Sequence, residues 1–377
     1  MRAVLSYSFR DVWNSIKYGF SFKKLWTQLI GLVLGTICYS IFAYLALLAS
    51  GLSFGEIWYY WKFIPIPVGE ALSIGGSILL AIGILGFVIC NYIFAVAVAK
   101  ITIEQLRGDE FFEVKDAIKF ARKKGWSVIT TPLCVVFVIA FILLGGLILG
   151  LLGKIPYAGE IIILIFAIPA IAMCIFIIYL LFALIFSAFL GPSVVASSES
   201  DTFDTLFEIF STLNEQPFRF ILYQFFTFLL TIFTSSLLAW ALGRAVSIMD
   251  WVWSASWLMG AKFKAIEEAA LYFFTSSPVL SSLFPYLRFL GVDAILNVPL
   301  TLPAQGFLIN FVGFFFGIGL YIMVFIVIAQ AINSLNVGTL MSYLVIAKKK
   351  DDLDLLEVKK EEEKEEKKVE EGEEPGN

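Results

Sequence analysis

The side chains able to do chemistry are few and widely spaced. Asp201, Asp204 and Glu208 share one helical face, as a carboxylate cluster for a metal would, but acidic residues in a first helical turn are ordinary capping and dipole chemistry, and that reading is preferred. Glu267 and Glu268 are adjacent carboxylates in a long connection and read as the wet side of a helix. Asn91, Gln224 and Gln330 are the strongest polar groups within apolar runs, suited either to lining a passage or to hydrogen bonds between helices. Lys115, Lys119, Arg122, Lys123 and Lys124 crowd one short amphipathic stretch, a pattern that anionic lipid headgroups favour.

What is missing narrows the chemistry. The chain has no histidine, which removes the Ser-His-Asp arrangement and every His-containing metal site. It has no HExxH, no Walker A loop, no Gly-x-Gly-Asp pair within a span and no paired carboxylates at mid-span. No catalytic residue, metal or cofactor is therefore expected, and the chain reads as a non-enzyme. Cys38, Cys90, Cys134 and Cys174 all fall in apolar runs, where a free thiol acts as a small hydrophobe.

The elements that must carry these residues are set by hydropathy. Of 377 residues 59% are hydrophobic, 16% aromatic and 15% charged, too apolar for a water-soluble core to conceal. A crossing helix needs about 20 apolar residues, and six segments qualify: 26–50, 71–99, 126–153, 161–190, 218–243 and 305–331. The first run begins after Lys24, too late and too long for a cleaved signal peptide. Arg2, Arg10, Lys17, Lys23, Lys24, Lys100, Arg107, the 115–124 cluster and Lys348–Lys350 all fall on one side, predicting both termini on the cytoplasmic face of the cell membrane.

Phe111, Val114, Ile118 and Ala121 form one helical stripe, and Phe203, Leu206, Phe210 and Leu213 reproduce it 92 residues later, with Asp109 matching Asp201 and Gly125 matching Pro217. Phe9, Val12, Ile16 and Phe20 are a looser copy. The fold predicted is an all-α polytopic membrane bundle of six transmembrane helices. They are arranged as three repeats, about 6–99, 109–190 and 201–335, each an interfacial amphipathic helix plus a helical hairpin. The membrane domain is expected to span 1–347, with an external cap of short helices at 244–303 and a charged, disordered cytoplasmic tail at 348–377. Trp251, Trp253 and Trp257 suit an aromatic belt, and the stripe Phe263, Ile266, Ala270 and Phe273 suits a cap helix. Pro169 is expected to kink the fourth span, and the glycine pairs Gly31/Gly35, Gly146/Gly150 and Gly313/Gly317 to let helices approach closely.

A long span followed by Gly191-Pro192-Ser193-Val194-Val195, a short acidic stretch, the helix from Thr202 to Gln216 and a further span resembles the YciC-like families and the membrane domain of some glycerophosphodiester phosphodiesterases. The resemblance covers most of 1–347 and implies a six-helix membrane fold. It implies no hydrolase activity, because the soluble phosphodiesterase domain has no counterpart here. Two function classes follow: a non-enzymatic scaffold that binds lipid or a partner, or alternatively a transporter, channel or lipid-handling protein for apolar or amphiphilic cargo. The expected partners are membrane lipids, a membrane or cytoplasmic protein through the tail, or an external partner through 244–303, and no nucleic acid.

Overall fold

The computed structural model describes residues 5–67, 71–275, 287–295 and 306–357. Arg2, Phe273 as a side chain, the prolines at 278, 285, 299 and 303, and the tail beyond 357 lie outside the described residues. The chain is helical in the order α1 (Phe9–Gly19), α2 (Phe22–Ala49), α3 (Phe54–Trp61), α4 (Ile74–Arg107), α5 (Val114–Lys124), α6 (Trp126–Leu152), α7 (Ala158–Ser198), α8 (Thr202–Glu215), α9 (Pro217–Trp253), α10 (Ala261–Thr275), two single turns at Arg288–Leu290 and Val292–Ala294, and α11 (Phe307–Asp351). Among the described residues six helices are long and apolar enough to cross a membrane: α2, α4, α6 with α5 leading into it, α7, α9 and α11. The protein is a multi-pass helical membrane protein.

The long helices overrun the predicted spans. α4 continues to Arg107, α7 to Ser198 and α11 to Asp351. Gly191 and Pro192, read in sequence as the start of a linker, lie inside α7, which also runs through Pro169 without a break. Pro192 is tolerated there because the surrounding turn, from Leu190 to Ser197, is buried and held by its neighbours. The helix ends instead at Glu199, in the left-handed conformation with φ 54°.

Two compact units make up the chain. One comprises Met1–Val12, Ala99–Gln224 and Thr339–Asn377, and the other Trp13–Val98 and Phe225–Gly338. In the first, the densest burial lies in the helical extensions, at Ile101, Ile103 and Leu106 of α4, Leu190 and Val194–Ala196 of α7, and Leu340–Ala347 of α11. The most apolar window of α7, by contrast, has no buried residue. Leu164 and Ile168 are instead exposed for lipid to solvate.

α5 and α8 sit on this unit by a face that overlaps the predicted stripe at Ala121 and Leu213 and leaves out its first aromatic residue. Ala117 and Ala121 of α5, and Thr205, Ile209, Thr212 and Leu213 of α8, are the buried positions. Phe111 and Phe203 are 90% and 68% exposed. Small residues permit close approach to the protein, while the aromatic rings project toward the surroundings. The buried pairs Ala117/Ile209 and Ala121/Leu213 keep the 92-residue offset.

In the second unit, α2 and α4 meet where Gly31 faces Phe94 and Gly35 faces Asn91. α10 packs on α11 through Ala269 and Ala270 against Gly313 and Gly317, and Phe263 meets Phe316 edge-on with centroids 6.0 Å apart. The expected stripe Phe263, Ile266 and Ala270 is buried. α10 is thus an integral part of the helix packing, whereas the sequence pattern pictured a surface cap. Trp251 and Trp257 are exposed, as a belt requires. Gly146 and Gly150 of α6 meet nothing within 4 Å, so this pair makes no close helix contact within the described residues.

A side chain at Gly31 would start 2.5 Å from Phe94 carbons. Gly31→Leu should therefore destabilise the protein by about 1–3 kcal/mol, and Gly146→Leu should leave its detergent thermal stability unchanged. Equal melting shifts for the two variants would contradict the packing.

Candidate functional site

Charge in the first unit is concentrated at buried helix ends. Lys100 and Arg107 of α4 and Lys350 of α11 are only 3%, 8% and 1% exposed. Lys100 Nζ lies 3.0 Å from Glu104 Oε1 and 2.9 Å from Glu199 Oε1, and 4.4 Å from the centre of the Phe120 ring. Arg107 Nη1 lies 3.0 Å from the same Glu104 oxygen. Its Nη2 donates to the carbonyls of Leu355 at 2.8 Å and Ser197 at 3.4 Å. Lys350 Nζ contacts Glu208 Oε1 at 2.9 Å, Asp351 Oδ2 at 3.0 Å and Ser211 Oγ at 2.9 Å. Each cation has an opposite charge and further hydrogen-bonding partners, the condition under which buried ions are tolerated.

This arrangement revises two expectations. The predicted disordered tail begins as the last turn of α11, and the chain after it turns at Asp352, φ 55°, to bury Leu355 and Leu356. The acidic face of α8 is neither a metal site nor a plain cap. Asp201 occupies the N-cap position without a side-chain capping bond and pairs with Lys124 at 3.0 Å, Glu208 pairs with Lys350, and Asp204 is exposed. Among the described residues no three acidic, cysteine or histidine side chains are grouped as metal ligands would be.

The second unit holds a buried cluster of amides around the C-terminus of α1. A helix end leaves its last carbonyls without partners, and here side chains from two other helices supply them. Gln330 Nε2 and Asn333 Nδ2 donate to Gly19 O at 3.3 and 2.7 Å, and Lys24 Nζ donates to Tyr18 O at 2.9 Å. Gln330 Nε2 also reaches Ser334 Oγ at 2.9 Å, which in turn lies 3.0 Å from Thr234 Oγ1. Asn336 Nδ2 donates to Gln28 Oε1 at 3.2 Å. Lys24, Gln28, Gln330 and Asn333 are all buried.

The three predicted interior amides are not brought to one place. Asn91, half-buried, donates to Phe87 O of its own helix at 2.9 Å and borders Gly35. Gln224, in the first unit, accepts from Thr339 Oγ1 at 3.1 Å. Gln330 alone joins a larger cluster. Asn333, which donates to it, and Asn336, which donates to Gln28, were legible in sequence as amides three residues apart on one helical face, and the Lys100, Glu104, Arg107 run carried the i,i+4 and i,i+3 spacing of ion pairs.

Two further features are exposed or half-exposed. Lys115, Lys119, Arg122 and Lys123 of α5 are exposed, and Lys124 is half-buried beside Asp201. Glu267, expected on a wet face, is half-buried against Asp250, and only Glu268 is exposed. Burial, and then the Asp250 carboxyl beside it, raises the Glu267 pKa above its ordinary value. No family model, curated protein or solved structure matches the chain.

Two measurements check this geometry. Lys350→Ala leaves Glu208 without its buried partner and should cost roughly 3 kcal/mol, whereas Lys348→Ala, at an exposed pair with Asp352, should leave the melting temperature nearly unchanged; similar melting shifts would count against the cluster. The folded state holds a proton on Glu267 that the unfolded chain releases more readily, so this contribution is present in acid and declines as pH rises from the ordinary carboxylate value through the raised one. Glu267→Gln should match the parent's melting temperature in acid and exceed it at neutral pH; a lower value at neutral pH would show the carboxylate to be stabilising when charged.

Proposed function

We propose that the protein is a non-enzymatic, lipid-organising scaffold of the cell membrane, with both termini cytoplasmic, that gathers anionic lipid on α5. The observation that carries this reading is the division of labour among its charges. The buried cations Lys100, Arg107 and Lys350 are matched by carboxylates, while Lys115, Lys119, Arg122 and Lys123 remain exposed on a helix whose other face is seated on the protein. Each basic side chain held near an anionic surface contributes about 1 kcal/mol of attraction. Phe111 and Phe203, exposed beside α5 and α8, are suited to enter the acyl region.

The alternative, a transporter or channel, receives less support from the polar groups. Gln330 is engaged with the carbonyl end of α1, Asn91 with its own helix and Gln224 with Thr339. The resemblance to YciC-like six-helix families and a threefold ancestry of the units belong to this proposal, supported by the order short helix, long helix, long helix at α5–α7, which recurs at α1–α4 and α8–α11 with one further short helix between the long ones. A protein partner docking through the region after Lys350 or through the 244–303 connection is part of the same reading.

The test is lipid composition around the purified protein. In nanodiscs made from equal amounts of anionic and zwitterionic phospholipid, mass spectrometry of the retained lipids should show anionic enrichment. Replacing Lys115, Lys119, Arg122 and Lys123 together by Gln should remove it, while the same change at Lys262 and Lys264 should not. Retention of the enrichment by the α5 variant would sink the proposal.

A further inference from the structure

The second unit contains an apolar groove of about 470 Å³. Val33, Ile37 and Ile41 of α2 form one wall, Ile318 and Ile322 of α11 the other, and Phe63 closes one end. The stretch of α2 that lines it, from Leu29 to Ile41, is roughly 18 Å long at 1.5 Å per residue, more than half of a hydrocarbon core of about 30 Å. Thr36, one of its few polar lining residues, has its hydroxyl bonded to Leu32 O at 2.8 Å, leaving that donor committed to its own helix.

The closed end is built by side chains. Tyr39 Oη donates to Pro65 O at 2.7 Å, Trp61 Nε1 to Ile66 O at 2.9 Å, and Tyr44 Oη to Lys62 O. Phe63 packs edge-on against Tyr321 with centroids 5.9 Å apart, and against Phe314 at 6.0 Å. These contacts fix the 62–66 segment at the level of Tyr44, one turn beyond Ile41. Lys62 therefore adjoins Phe63 at this end of the groove, half-buried, with Nζ 5.8 Å above the Tyr59 ring.

An apolar slot within membrane-crossing helices, open along one side and ending at a fixed cation, matches the chemistry of one lipid class. We infer that the groove holds one acyl chain of an anionic phospholipid, whose phosphate pairs with Lys62. A single unbranched chain is slender enough to enter a groove of this volume. The surroundings at that depth supply such chains. Phosphate next to Lys62 would also oppose the effect of burial, which lowers the pKa of that amine. The site is built from residues other than those of α5 and stands or falls independently of the lipid enrichment proposed there.

The experiment uses the full chain in nanodiscs carrying phosphatidylglycerol with a photoactivatable diazirine in its acyl tail, with labelled peptides mapped by mass spectrometry. Labelling should concentrate on Val33, Ile37, Ile41, Ile318 and Ile322, above that of the more exposed Leu164 and Ile168 of α7. Ile37→Trp should fill the slot and lower groove labelling about tenfold, the equivalent of roughly 1.4 kcal/mol; Ile322→Trp, from the facing wall, serves if the first variant does not fold. Lys62→Ala should lower labelling by the phosphatidylglycerol probe about fivefold, while leaving that by a diacylglycerol probe with the same tail unchanged. Even labelling across lipid-exposed residues, indifference to both Trp variants, equal loss of both probes in Lys62→Ala, or protein–protein crosslinks at these positions would each overturn the inference.

Discussion

Much of this structure depends on one constraint: the C-terminal ends of α4 and α11 carry cations whose side chains are buried. A lysine or arginine withdrawn from water costs several kcal/mol unless charge and hydrogen bonds replace the lost hydration. Lys100, Arg107 and Lys350 meet that demand with Glu104, Glu199, Glu208 and Asp351, drawn from α4, α7, α8 and the residue after Lys350. Satisfying the cations therefore places the end of α7 beside α4 and seats α8 on α11. Arg107 extends the same network to the backbone at Leu355, and so fixes where the chain runs after its last helix.

The second unit solves a related problem for neutral groups. The carbonyls at the end of α1 would be costly to bury unpaired. Amides of Gln330 and Asn333 and the amine of Lys24 reach them from α11 and α2. Polar residues in apolar helices are easily read as the lining of a pathway. Here Gln330 and Asn333 hold a short helix to a long one by donating to its terminal backbone carbonyl.

Lipid explains the burial pattern that would look wrong in water. The apolar windows of α6 and α7 are almost wholly exposed, whereas the less apolar helix extensions are packed. Hydrocarbon solvates Leu, Ile and Phe as well as a protein interior does, so hydrophobicity alone does not drive those side chains inward. Close approach is governed by shape. Gly31, Gly35, Gly313 and Gly317 mark where it occurs, and Gly146 and Gly150, with the same spacing, remain open.

Helix number, apolar spans and charge segregation were legible in the sequence, because each depends on local composition averaged over about 20 residues. Of the residues paired by the 92-residue spacing in the sequence, Ala121 and Leu213 are both buried, while Phe111 and Phe203 are both exposed. What composition could not locate were the helix ends beyond the apolar blocks. The turn at Gly191-Pro192 resembles a linker until its neighbours are known, and Lys100 looks like a surface charge until Glu199, far along the chain, arrives within 2.9 Å. The sequence by itself determined that this chain crosses a membrane on six helices, since the hydrocarbon interior imposes that on any long apolar run. Only the tertiary structure decided which of its charges and amides are buried with partners and which face outward, since that depends on contacts between residues distant in the chain.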